Sequence, residues 1–555
     1  MKTKIIIVTL TGLMILFSSC KEEWLDLNPQ AQETVVGFYS DMAGAEEAVE
    51  AAYSQLCARE VFDNCYYMSF GSIASDDAEA GGSDPTDGAD NEQPINRMDH
   101  NSATPYFDDF YSYSYKGINL CNVALQYLPD IIDEDPEADA DILNERIAEV
   151  KFLRALYHFM LVQVYGGVPV VDHILNPDEY EQSRATVKEV FNLIEADLKA
   201  AIPDLPDIRE GSDIGRASKG AAKALLVKML IYESSYAKNY PGDYRFGDVT
   251  QRWGEALTLA EEIINSEVYE LIGINEERYN CWWGPETGGY RYYFTTDGEN
   301  SSESIFEIQS VNDGWGYGHT RGTAYVVYST NRLFIDSDDA SEQEAGWGFN
   351  MPTESLFNEF EAGDPRLETT IAQEGDSIYF TGTSGTTKWH LMEFRQSPTG
   401  MSGRKSEASP AEYWDVRGDA WSQGPVNLRL IRYADVVLWA AEAALESGAN
   451  GKALTYINMV RKRARMSGDT GEPQDLSGTV DLDDIIHERR VELALEGHRF
   501  FDLVRWGLAD DIMNGHLTVT ENYNVIFITG KHEFFPLPEI EISLSNGRMV
   551  QYADW

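Results

Sequence analysis

Large flat rings crowd into stretches of this sequence that have neither helical nor strand periodicity. Trp282-Trp283-Gly284-Pro285 follows Cys281, Tyr290-Arg291-Tyr292-Tyr293 comes next, Trp315-Gly316-Tyr317 lies further on, and Trp347 and Trp389 stand beyond. A pyranose offers a face of C–H groups that packs on such a ring, while its hydroxyls need planar donors and acceptors close by. Arg291, Asn312, Asp313 and Arg321 supply those groups within a few residues of the rings. The chemistry available is ring stacking with hydrogen bonding, and the candidate ligand residues are Trp282, Trp283, Tyr290, Arg291, Trp315, Tyr317 and Arg321. The plainer alternative is that these rings fill an irregular subregion. A second loop-rich stretch, 71–110, adds Asp76, Asp77 and Tyr106 to the candidates.

Signals for catalysis are absent. With 93 Asp and Glu, a carboxylate pair suited to glycoside hydrolysis arises somewhere by chance, so finding one discriminates nothing. His487-Glu488 continues into Arg489-Arg490-Val491 and misses the HExxH zinc pattern; no G-x-S-x-G elbow and no phosphate-binding G-x-x-x-x-G-K-[ST] loop occur. Gly314-Trp315-Gly316-Tyr317-Gly318 lacks the third glycine at G-x-G-x-x-G spacing, where His319 stands, and the βαβ setting of a dinucleotide loop. The nine His are scattered, without metal-type clustering. Ser75-Asp76-Asp77 and Asp336-Ser337-Asp338-Asp339 present hard oxygens that suit Ca²⁺, yet neither has EF-hand spacing, and a solvated acidic loop is the simpler reading. The expectation is a non-enzyme without a cofactor, structural Ca²⁺ being the sole metal candidate.

The elements that must position these residues are helical. Ala- and Glu-rich segments with apolar residues at helical spacing recur at 44–58, 141–165, 186–201, 215–236, 250–266, 428–447, 450–466 and 482–506. Residues 428–466 predict two antiparallel helices joined at Gly448-Ala449-Asn450-Gly451, with Ala443, Leu454 and Ile457 facing each other. Such pairs are the unit of TPR-like arrays, although no clean 34-residue period emerges. In 482–506, Ile486, Leu493, Phe500 and Val504 predict one apolar helix face, with Glu496–Arg499 and Asp502–Arg505 spaced for local ion pairs. Between 267 and 425 the texture turns to Gly, Ser, Thr, Asp and aromatics, with short strands predicted at 305–309 and 377–380. The fold class is mostly α: TPR-like helix pairs at about 30–266 and 426–510 form a scaffold for a loop-rich ligand-binding subregion at about 267–425, all within one unit spanning 20–555.

Charge narrows the partners. The 555 residues carry 43 Lys and Arg against 93 acids, a formal charge of -50, which argues against nucleic acid because phosphate recognition needs a basic face. A hydrophobic fraction of 43% with 12 Trp and 30 Tyr is too high for an acidic disordered chain. At the start, Met1-Lys2-Thr3-Lys4, an apolar run from Ile5 to Phe17 and Ser18-Ser19-Cys20 read as a signal peptide over 1–19, too short to span a bilayer. Cys20 after two small residues resembles a bacterial lipobox, in which its thiol takes the lipid. Cys57, Cys65, Cys121 and Cys281 are too few and too scattered for a disulfide framework or a CxxC metal site.

Seven stretches follow one another along the chain: Trp24-Leu25-Asp26-Leu27-Asn28-Pro29-Gln30, EVKFLRALYHFMLVQVYGGVPVV at 149–171, IGRASKGAAKALLVKMLIY at 214–232, Gly363-Asp364-Pro365-Arg366-Leu367, RYADVVLWAAEA at 432–443, HERRVELALEGHRFFDLVRWG at 487–507 and Phe535-Pro536-Leu537-Pro538. Together they resemble the SusD/RagB family of surface glycan-binding lipoproteins. The resemblance implies a helical TPR-like protein without catalytic activity, lipid-anchored at the outer membrane and facing outward. It also implies a SusC-like TonB-dependent transporter as partner, to which captured oligosaccharide is delivered. Peptide capture is the alternative with the same architecture, and a secreted glycosidase a more distant one. The family's shared motifs contain no pocket residue, so the site residues rest on ring chemistry alone.

Overall fold

The computed structural model describes residues 39–555 apart from 59, 83–85, 136, 312–321, 337–341, 345, 382–386, 394–396, 408–423, 520–521 and 554. Ten of its helices carry the scaffold: α1 Met42–Ser54, α2 Pro105–Tyr127, α3 Ala140–Tyr165, α4 Val187–Ala201, α5 Lys219–Asn239, α6 Trp253–Ile264, α7 Tyr433–Glu446, α8 Asn450–Met466, α9 Leu482–Glu492 and α10 Arg499–Trp506. From α1 to α8 each helix packs against the next, which is the serial arrangement of TPR-like pairs. Side chains fix several starts. Asp41 accepts from the Gly44 amide at 2.9 Å, and Thr186 and Glu189 form a reciprocal capping box on α4. α3 and α5 are buried almost all round, so they are the interior of the stack, and one continuous apolar core joins all ten helices.

Among the described residues twelve short strands decorate this frame. β4 Ser304–Ile308 pairs antiparallel with β12 Leu428–Arg432, and β5 Leu333–Asp336, β6 Glu342–Glu344, β9 Ser377–Thr381 and β10 Thr387–Glu393 form an antiparallel sheet in the order β6-β5-β10-β9. β2 Arg278–Cys281 and β3 Gly284–Gly288 form a hairpin. β1 Ala78–Gly81 pairs with β7 Phe349–Pro352, and β8 Ile371–Gln373 with β11 Met401–Gly403. No helix among the described residues is long and apolar enough to cross a membrane.

Sequence expectations are corrected in three stretches of the chain. Residues 428–432 form β12, and the helix begins only at Tyr433; the turn to α8 does sit at Gly448, whose φ of +76° lets the Ala449 amide reach back to the Ala444 carbonyl at 2.7 Å. Across that turn Ala443 and Ile457 are fully buried, whereas Leu454 is half-exposed and Ala453 takes the inner position. The predicted helix over 482–506 is two helices, broken where Leu495 (φ +61°) and Gly497 (φ +74°) adopt left-handed backbone. In α9 the inward residue is Ile485, not Ile486. Finally, much of the stretch read as a loop over 71–110 is ordered: a run of π-helix covers Glu60–Ile73, β1 follows, and α2 begins at Pro105.

Candidate functional site

The β2–β3 hairpin turns through two residues, and both are tryptophan: Cys281 pairs with Gly284, leaving Trp282-Trp283 at the tip. Two-residue hairpin turns ordinarily carry Asn, Asp or Gly, so this tip shows its rings for a reason other than backbone geometry. The two indoles stack with centroids 4.6 Å apart and planes 29° apart. Around Trp283 the guanidiniums of Arg291 and Arg404 stand 4.1 and 4.6 Å from the ring centroid. Arg291 is itself steadied by Glu368, donating to its carboxylate at 3.2 Å and to its carbonyl at 2.8 Å, while Arg404 donates to Glu407. Burial holds the Arg291 guanidinium below its ordinary pKa, with Arg404 adding repulsion, and burial pushes the Glu407 carboxyl up. A second stacked pair braces the base of the hairpin, Tyr279 on Tyr292 at 4.2 Å and 15°.

The arrangement is a half-buried aromatic platform edged by fixed planar cations. Trp283 is sheathed by Trp282 and two guanidiniums, so it serves as the support, and among the described residues Trp282 has one aromatic neighbour. The geometry brings together Trp282, Trp283 and Arg291 of the candidates. Arg404 and Tyr279 complete it. Arg404 lay in a run without periodicity or rings and carried no signal in the sequence, whereas Tyr279, three residues before Trp282, could have been found by extending the ring count backwards.

The other described candidates are elsewhere. Tyr290 turns inward, 1% exposed, its hydroxyl donating to the Glu492 carbonyl at 2.9 Å with the Arg463 guanidinium over its ring at 4.9 Å. Asp76 receives two hydrogen bonds from Arg499, at 2.8 and 3.1 Å, and lies 2.7 Å from Arg490, which also binds Asp77 at 2.8 Å. Burial raises the Asp76 carboxyl, and the two guanidiniums outweigh it and hold it down; at Asp77 burial prevails. These carboxylates are tied to α9 and α10 by Arg490 and Arg499 and are buried. Tyr106 is buried with its hydroxyl on Glu92. Each of these four is corrected from ligand residue to structural residue. Cys20, Trp315, Tyr317 and Arg321 lie outside the described residues. No cluster of three metal-type side chains occurs among the described residues, and Cys57, Cys65, Cys121 and Cys281 are free thiols.

Comparison with known proteins identifies the architecture. A family model described as "SusD family" matches residues 302–555, and one described as "Starch-binding associating with outer membrane" matches residues 23–231. SusD-like protein P2 of Formosa agariphila is 24% identical over 557 residues, covering 98% of each chain. Among solved structures, a laminarin-binding SusD-like protein superposes with a TM-score of 0.73 at 29% identity, covering 93% of this chain and all of the other. Surface glycan-binding protein A of Bacteroides thetaiotaomicron, solved with laminarihexaose, gives 0.71 at 22% identity over 92% of this chain and 99% of its own. The stacked helix pairs with a loop-rich insertion are therefore the architecture of a known class of helical proteins. The chain belongs to the SusD/RagB family.

Proposed function

We propose that this protein is a non-catalytic cell-surface lipoprotein that captures a neutral oligosaccharide or polysaccharide and delivers it to a SusC-like TonB-dependent transporter in the outer membrane. Cys20 carries the lipid that holds it there, and more than one acyl chain is needed for stable anchoring. The observation that carries the reading is the Trp282–Trp283 hairpin tip, a half-buried turn that spends its two residues on stacked indoles and fixes Trp283 with Arg291 and Arg404. Trp282 offers a stacking face, and the guanidinium edges donate to ring hydroxyls. Solved relatives named for laminarin and laminarihexaose binding support the same ligand class. The formal charge of -50 favours neutral glycans over polyanions, which this surface repels at long range.

Isothermal titration against a panel headed by laminarihexaose, run beside an assay for released products, tests the reading. Binding without hydrolysis is the expected result. Hydrolysis by the purified protein would overturn the non-catalytic reading, and the absence of binding to every oligosaccharide in the panel would overturn the glycan reading.

A further inference from the structure

A second surface groove, of about 620 Å³, lies away from the hairpin and shares no residue with it. Its floor is one stripe of α2, bearing Tyr111, Tyr115 and Asn119; one wall is the segment after α3, with Tyr180, and the other is the C-terminal region, with Glu541. The volume falls in the range of small-ligand sites, roughly 300–1,000 Å³.

The rings are held in place. Tyr115 donates its hydroxyl to the Pro169 carbonyl at 2.7 Å, Tyr111 reaches the Met549 sulfur at 3.7 Å, and the two rings sit 4.6 Å apart at a tilt of 42°. Tyr180 stands at the mouth, 65% exposed, an uncommon state for so large a ring. The polar groups beside these rings keep their bonding capacity. Neither Asn119 nor Glu541 has a side-chain hydrogen bond to any described residue, and Gln182 donates its amide to the Glu179 carbonyl but keeps its carbonyl oxygen free. Glu541 is half-buried among tyrosines, and burial, with Asp108 adding to it, raises its carboxyl. Lys116 also lines the groove, its ammonium over the Tyr113 ring at 4.1 Å, so with Glu541 the lining carries one charge of each sign within a strongly acidic protein.

We propose that this groove is a second carbohydrate-binding site, taking a single pyranose unit of a neutral glycan. The exposed ring of Tyr180 and the half-buried ring of Tyr115, backed by the buried Tyr111, meet the sugar's C–H face, and an amide, a carboxylate and an amide carbonyl, none of them satisfied by another described residue, meet hydroxyls that both donate and accept. Balanced charge selects against ionic ligands. The ligand class rests on the glycan reading above; the location does not.

Two sites on one chain would let a polymer be held at two points, so that the second contact forms at high effective concentration. The test is titration with laminarihexaose and with maltoheptaose, using wild type, a Tyr180→Ala/Asn119→Ala variant and a Trp282→Ala/Trp283→Ala variant. Tyr180 and Asn119 are both exposed, so their replacement leaves thermal melting unchanged. Wild type should bind two sugars per chain, and the groove variant should weaken one of the two by about tenfold while the other stays intact. A stoichiometry of one that the groove variant leaves untouched overturns the second site alone, as does loss of all binding in the indole variant. No binding of either sugar by wild type overturns both readings.

Discussion

Arg432 shows how the most recognisable stretches of this sequence work. It is 2% exposed and uses its whole guanidinium: Nε to Glu496 at 2.7 Å, Nη1 to Glu303 and Glu492 at 2.9 and 2.7 Å, and Nη2 to the Glu492 carbonyl and Glu496 at 2.7 and 3.0 Å. Arg463 also grips Glu303 and Glu492, and Arg366 grips Asp364, Glu488 and Glu492. Burial pushes the Glu492 carboxyl up, and Arg463, Arg432 and Arg366 together outweigh it, so the group stays ionised. Three motifs, around 366, 432 and 488–496, thus close on one buried ion network. Exposed pairs at three-residue spacing contribute tenths of a kcal/mol, but a buried network broken on one side leaves uncompensated charge. Arg432→Met should therefore destabilise the protein by about 3–5 kcal/mol in urea unfolding; a loss under 1 kcal/mol would show the network to be dispensable. Spacing misled for one neighbour: Glu496 pairs with Arg432 and Lys405, and Arg499 leaves it for Asp76, whereas the Asp502–Arg505 pair does form, at 2.7 Å.

At the scale of elements, helix crossings and one hairpin decide the outcome. α2 and α3 cross at Gly117, where an added Cβ would lie 2.5 Å from the Tyr157 ring. That ring is fully buried and its hydroxyl is bonded to the Ala52 carbonyl at 2.8 Å, so it cannot swing aside. Alanine gains about 1 kcal/mol of helix propensity over glycine, while overpacking costs about 1–3 kcal/mol. Gly117→Ala should be net destabilising, with a Tm several degrees lower by calorimetry, and a raised Tm would mean that the crossing has slack. The β2–β3 hairpin behaves in the opposite way, because its tip contributes little to the main core. Replacing Trp282 and Trp283 by Ala should cost tenfold or more in oligosaccharide affinity at about 0.5–1.5 kcal/mol per ring stack, with melting unchanged. Equal affinity in that double variant would move the site elsewhere. α2 escaped the sequence reading because Tyr, Ser, Asp and Gly dilute its apolar stripe, which Tyr106, Phe107, Phe110, Tyr111, Ile118 and Cys121 nevertheless carry inward.

For the whole molecule, the serial packing of α1 to α8 makes a rigid frame, and the C-terminal segment locks it. Phe535 packs on Phe70, Phe107 and Phe500, and its amide donates to the Val164 carbonyl at 2.8 Å, joining the chain's end to α3. A body of this charge has little attraction for anionic lipid, so on the proposed reading membrane attachment rests on the lipid at Cys20. Cys20→Ala should release the protein into the soluble fraction and abolish palmitate labelling. Continued sedimentation of the variant with membranes would refute the lipid anchor.

The sequence by itself determined the helical class, the family and the clustering of rings near 282, because periodicity, motif order and local composition are properties of neighbours along the chain. Only the tertiary structure decided which rings and charges are drawn into the core and which stay near the surface. Tyr290 and Trp283 stand seven residues apart, yet one is drawn into the core by Glu492 and Arg463 and the other is held at a hairpin tip by Arg291 and Arg404. Asp76 and Asp77 read as an open acidic loop until Arg490 and Arg499, more than 400 residues away, close over them. A buried charge must find its partner wherever the fold brings one, and that search runs through space, where sequence spacing carries no information.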